Sequence, residues 1–76
     1  MDDDSMTGMV GTVTGTVRPG AVGEVMLAIR GGVEAFYAKP YDGEEVIPVG
    51  ARCAVVDYRP HEASRTVFVT AMPDAV

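Results

Sequence analysis

The chain has one cysteine, one histidine, one lysine and no tryptophan in 76 residues. The lone Cys53 excludes an internal disulfide and fits a reducing compartment. Cys53 and His61 together fall short of the four nitrogen and sulfur ligands that a structural zinc site takes. Lysine and arginine total six and are scattered, so the sequence has no basic cluster of the kind that phosphate backbones require. No apolar run approaches the roughly 18 residues of a membrane-spanning helix. The N-terminus is acidic where a secretory signal would be basic and then apolar. These absences predict a soluble cytoplasmic domain.

What is present is an apolar fraction of 47%, which is that of a folded domain and not of a disordered chain. The length allows one domain, small enough to need a well-closed core. The formal charge of −5 is concentrated at the ends. Once Asp2, Asp3, Asp4 and Asp74 are set aside, seven acids face six bases and the body is nearly neutral. Residues 1–8 read as a disordered acidic tail, because adjacent aspartates repel one another and precede no helical pattern. Residues 9–72 read as the folded domain and 73–76 as a C-terminal tail.

Within the body the hydrophobic period is two. Met9, Gly11, Val13, Gly15 and Val17 share one face of a first strand over 9–17, with Thr12, Thr14 and Thr16 on the other. Gly11 and Gly15 mark sharp coiling or close backbone approach. Pro19-Gly20 suits a type II turn. A second strand over 23–30 points Val25, Leu27 and Ile29 one way. Gly31-Gly32 then signals a hairpin into a third strand from Val33 to Lys39, stopped by Pro40. The connector 40–51 is punctuated by Pro40, Asp42-Gly43, Pro48 and Gly50, with Ile47 and Val49 expected to pin it to the core and Pro48 limiting any helix over 44–47 to a single turn. A fourth strand over 52–58 sets Cys53 and Val55 opposite Ala54, Val56 and Tyr58. After the polar loop 59–64, a fifth strand over 65–71 puts Val67, Val69 and Ala71 on the core face. Five short strands in so small a sheet must close or leave edges unpaired. The fold class predicted is all-β, a five-stranded Greek-key barrel of OB type, with an SH3-like barrel as the alternative that strand counting leaves open.

Few residues suggest chemistry. Cys53 lies between apolar neighbours and reads as a small core residue, since a nucleophile needs a depressed pKa and a nearby base. His61, between Pro60 and Glu62, reads as a solvated surface residue. Asp42, Glu44 and Glu45 lack the ligand spacing of a calcium loop and read as a solvated connector. The glycines pass from strand to strand and not into a helix N-terminus, so they make turns and cradle no phosphate. No catalytic residue, cofactor or metal is expected. Four large apolar residues, Met26, Phe36, Tyr41 and Phe68, fall on faces or loops that alternation does not assign to the interior. They either close the barrel end or form an exposed protein-binding patch.

The spacing Gly11-x-Val13-x-Gly15, Pro19-Gly20-x-x-Gly23-x-Val25, Gly32-x-Glu34-Ala35, Ile47-x-x-Gly50-x-x-Cys53-x-Val55-Val56 and Val67-x-Val69 resembles the C-terminal soluble domain of NfeD-like proteins over about residues 8–72. The resemblance implies an OB-fold domain, in that family usually attached to membrane-spanning helices and paired with stomatin- or flotillin-like membrane scaffold proteins. Longer members carry a Ser–Lys protease domain. Its residues have no counterpart here, where Lys39 is the sole lysine and Ser5 and Ser64 have no protease context. The stretch Phe36–Gly43 is longer and more aromatic than the family's usual exit from the third strand.

The reading is therefore a non-enzymatic protein-interaction module, monomeric in isolation, whose partner is expected to be a stomatin- or flotillin-type scaffold. Met26, Phe36, Tyr37 and Tyr41 are the expected contact residues. The alternative is a single-stranded nucleic-acid binder, in which Phe36, Tyr37, Tyr41, Tyr58 and Phe68 would stack on bases beside Arg30, Lys39, Arg52 and Arg59.

Overall fold

The computed structural model describes residues 6–29, 31–59 and 65–72. Among these residues five strands run in chain order: β1 (Val10–Gly15), β2 (Gly23–Ile29), β3 (Gly32–Pro40), β4 (Arg52–Tyr58) and β5 (Thr66–Ala71). They close into a barrel in the order β1-β2-β3-β5-β4, with β4 returning to β1. The β3–β5 pair is parallel and the other neighbours are antiparallel. That parallel pair decides between the two folds, because an SH3-like barrel pairs its neighbouring strands antiparallel. The molecule is an OB-type barrel.

Period-two patterning fills the barrel. Val13, Val25, Leu27, Cys53, Val55, Val67 and Val69 all turn inward and are buried. Each such aliphatic side chain contributes about 1.5–3 kcal/mol when fully buried. Two glycines make the closure possible. A Cβ on Gly11 would lie 2.5 Å from both the Leu27 side chain and the Met26 carbonyl, and one on Gly23 would lie 2.5 Å from the carbonyls of Gly15 and Thr16. No side chain fits at either place. The turn after β1 has Pro19 at its second position and Gly20 at its third with φ 78°, and the Ala21 N–H reaches the Arg18 carbonyl at 3.4 Å. This is the type II arrangement that the Pro-Gly pair demands.

The connector 41–51 crosses the barrel as irregular chain. Val17 and Ile47 exchange backbone hydrogen bonds at 3.0 and 2.8 Å, and the Gly50 N–H donates to the Val13 carbonyl at 2.8 Å. Ile47 is fully buried, as expected, but Val49 is 60% exposed because Pro48 and the turn at Gly50 rotate it outward. No helical turn forms over 44–47. Instead Asp42 Oδ1 accepts the N–H groups of Glu44 and Glu45, each at 2.9 Å, and that local bond competes with helix.

Two further expectations are corrected. The third strand runs through Pro40, which lies opposite Val69 on β5. Pairing of β3 with β2 ends at Ala38, so the missing Pro40 N–H faces a side without a strand, and the Tyr41 N–H continues the ladder to the Val69 carbonyl at 2.9 Å. Residues 6–8, expected in the tail, pack on the barrel. Met6 is buried, and the Gly8 N–H and Met9 carbonyl both pair with Val55 at 2.8 Å, which extends the β1–β4 seam. Residues 1–5, His61, Ser64 and the tail 73–76 lie outside the described residues.

Candidate interaction surface

Strand β3 divides the expected contact residues between two environments. Of the two placements that the sequence leaves open for Phe36, core or contact patch, the structure has the core, at 5% exposure. Its parity on β3 matches Ala38 and Pro40, both buried. The ring meets Tyr58 edge-on at 6.1 Å and lies under the Arg65 guanidinium at 4.5 Å. Tyr58 can reach it because a bulge between Val55 and Asp57 shifts the register of β4 and turns the end of that strand toward the core. Phe36 therefore leaves the contact set, since an aromatic ring buried in the barrel has no face to offer a partner.

Tyr37, on the opposite parity, is 56% exposed, and Tyr41 just beyond the strand is 53% exposed. Four residues of extended chain set them about 13 Å apart along the outside of the barrel. Met26 is half-buried on the outer face of β2, between Thr12 of β1 and Ala35 of β3. Tyr37 pairs with Glu24, two residues from Met26 on that same face, and Glu24 is held by the Thr14 hydroxyl at 2.8 Å. Met26 and Tyr37 thus share one outer face, and Tyr41 stands at its far end past Lys39.

Two features of this region lie beyond the reach of the sequence. The first is Arg65, which has φ 57°, the one positive φ at a non-glycine among the described residues. Its carbonyl accepts the Tyr37 N–H at 2.8 Å and so opens the parallel ladder. Its guanidinium donates to the Ala35 carbonyl at 2.6 Å and to Glu34 at 3.2 Å while covering Phe36. The second is a groove of about 390 Å³ between the Pro19–Val22 turn and the end of β3, with Lys39, Pro40, Gly43 and Phe68 on its other side. Lys39 and Phe68 become neighbours only through the parallel register of β3 and β5. Phe68, flagged in the sequence as surplus apolar material, is half-buried there, with the Arg59 guanidinium 4.7 Å above its ring and that guanidinium bonded to Asp57 at 2.7 Å.

The remaining candidates have structural roles. Cys53 is fully buried, and desolvation pushes its thiol up from the ordinary value, opposed in part by a hydrogen bond with the Gly11 backbone. A raised thiol pKa is the reverse of what a nucleophile needs. The Glu45 carboxylate accepts the Thr70 hydroxyl at 3.0 Å and the Ala71 N–H at 3.2 Å, fastening the connector to β5. Among the described residues no three His, Cys, Asp or Glu side chains are grouped so as to hold a metal ion.

Against known proteins, the NfeD C-terminal domain family matches residues 10–72, the whole barrel from β1 to just past β5. The chain belongs to the NfeD C-terminal domain family. Its structure is similar to that of the C-terminal domain of stomatin operon partner protein 1510-C from Pyrococcus horikoshii, with a TM-score of 0.64 and 27% identity. The likeness covers 97% of this chain and 98% of that domain. Comparison with curated proteins gives no match.

Proposed function

We infer that this NfeD-type barrel is a non-enzymatic protein-interaction module whose partner is a membrane scaffold protein of the stomatin or flotillin class. The observation that carries this reading is the end-to-end similarity to a domain whose own protein is described as a stomatin operon partner. The surface is consistent with it: Tyr37, Tyr41 and the half-buried Met26 present aromatic and sulfur-containing side chains of the kind enriched at protein interfaces. No helix among the described residues is long and apolar enough to cross a membrane, so the proposed route to the membrane is a partner or a longer parent protein. The isolated domain is proposed to be monomeric.

Binding of single-stranded nucleic acid is the less favoured reading. OB barrels that bind oligonucleotides use the outer face of the second and third strands. Among the described residues that face carries Glu24, Met26, Ala28, Val33, Ala35 and Tyr37, with one base, Lys39, at its end; Arg30 lies outside the described residues. One described aromatic and one described base fall short of a charged stacking groove.

The test is capture of a stomatin-class scaffold by the wild-type domain and by a Tyr37→Ser/Tyr41→Ser variant. Both positions are exposed, so the variant keeps its fold. Capture by the wild type and at least a tenfold loss in the variant are expected. No capture by the wild type, together with salt-sensitive micromolar binding of a short single-stranded oligonucleotide, would reverse the order of the two readings.

A further inference from the structure

The groove beside Phe68 is a built feature with unequal walls. Pro19 and Val22 form one side and Pro40 and Phe68 the other, so its lining is apolar except for Lys39. Its walls are stiff. The type II turn fixes Pro19, the parallel ladder fixes Pro40, and the Arg59–Asp57 pair holds the Phe68 ring from above. Its size lies within the roughly 300–1,000 Å³ of ligand-binding clefts. At its lip Lys39 is exposed and has no ion pair among the described residues. The nearby acids are engaged elsewhere: Asp42 accepts two backbone N–H groups, Glu45 is bound to β5, and Asp57 is paired with Arg59. Glu44 is exposed in the connector and does not line the groove.

A trough with apolar side-chain walls and, among the described residues, a lysine without an ion pair at its rim is complementary to an apolar side chain followed by a carboxylate. We propose that this groove receives an extended partner segment that sets one large apolar side chain between Val22, Pro40 and Phe68 and places a carboxylate on Lys39. This deepens the interaction-module reading and rests on it. The ammonium selects the acidic residue through charge complementarity, which acts mainly on specificity and association rate. The apolar walls supply the desolvated contact that holds the segment.

The experiment is an NMR titration of the ¹⁵N-labelled domain with acetyl-Gly-Leu-Phe-Leu-Asp-Gly-amide and with the same peptide carrying Asn for Asp. Backbone shifts at Ala21, Val22, Lys39 and Phe68 are expected, with binding of the Asn peptide at least fivefold weaker. Lys39→Glu should abolish the preference for the acidic peptide, and Val22→Glu should abolish binding; both positions are exposed and both variants keep the fold. Equal binding of the two peptides, or shifts confined to Met26 and Tyr37, would overturn the proposal. The scaffold capture assay separates the two levels. Loss of capture in Lys39→Glu supports the groove. Undiminished capture in Lys39→Glu, together with loss in Tyr37→Ser, overturns the groove and leaves the module reading standing. Absence of capture by the wild type overturns the module reading, and the peptide shifts then judge the groove alone. Self-association that disappears in Lys39→Glu would assign the groove to a second copy of this chain and overturn the heterologous partner.

Discussion

The β1–β2 hairpin and the β3–β5 seam close the same barrel by opposite means. In the hairpin the chain gains its fit by having no side chain at Gly11 and Gly23, where backbone meets backbone. In the seam it gains its fit by adding long side chains: Arg65 stacks on Phe36 and Arg59 on Phe68. A junction made by absence has one solution along its strands, and only the turn that joins them, Pro19–Val22, is left to wall a groove. A junction made from long side chains leaves rims, half-buried rings and a groove. The difference explains why the close approaches at Gly11 and Gly23 are architectural and why the exposed Tyr37 ring and the far wall of the groove lie on β3 and β5.

The sharpest way to break the comparison is to put a side chain into the hairpin. Gly23→Val is expected to cost about 3 kcal/mol or more, because the clash is with two carbonyl oxygens that cannot rotate away. At about 0.05–0.15 kcal/mol per residue a domain of this size holds about 4–11 kcal/mol, so urea denaturation should show the midpoint lowered by about a quarter or more. A midpoint within experimental error of wild type would show that the hairpin is no tighter than the seam.

Next in size is a pair of neighbours in the seam itself. Phe36→Ala empties a buried ring position and should cost about 3–5 kcal/mol. Tyr37→Ser, one residue on, removes a half-exposed ring and should change stability by no more than about 0.5 kcal/mol. The scaffold-capture readout should reverse this order, since only Tyr37 can touch a partner. Equal destabilisation at the two positions would mean that the faces of β3 are not partitioned as the register requires.

That partition marks where the sequence stops being informative. Strand β2 could be oriented from Val25, Leu27 and Ile29, because its other face carries Glu24. Strand β3 could not, because Val33, Ala35 and Tyr37 alternate with Glu34, Phe36 and Ala38, and both rows contain apolar residues and one aromatic. Only the parallel pairing with β5, a contact between residues some thirty positions apart, settles which aromatic goes inside. The family resemblance and the OB-type barrel were both legible, since glycine spacing and short alternating strands are local signals. The groove was not, because Lys39 and Phe68 meet through that same distant pairing. Nor was the stacking of Arg65, whose φ of 57° no propensity would assign to arginine.

Arg65 offers a finer probe of the seam. Arg65→Ala keeps the unfavourable backbone conformation and loses both the stacking on Phe36 and the bond to the Ala35 carbonyl, so a loss of about 1–2 kcal/mol is expected. Arg65→Gly loses the same contacts but relieves the positive φ, and should recover about half of that loss. The order Arg > Gly > Ala in thermal denaturation would show that side-chain contacts hold the strained residue in place. Gly above Arg would show that the guanidinium contributes less than the strain it accompanies.

The smallest expected effect belongs to Cys53, opposite Gly11 where β4 returns to β1 and the two modes of closure meet. Burial raises its thiol above the ordinary value of 9.0, so the folded state holds the proton to a higher pH than the unfolded chain does. Between the unfolded and folded values the native state binds more protons, and stability therefore falls as pH rises through that window. The contribution is fully present below about pH 9 and should be lost progressively above it. Cys53→Ala should flatten this alkaline decline at the cost of a small cavity, while the thiol of the native protein should react with a maleimide only as fast as the barrel opens. Rapid labelling at neutral pH under native conditions would show that β4 and β1 separate readily, and would place that seam on the adaptable side of the comparison.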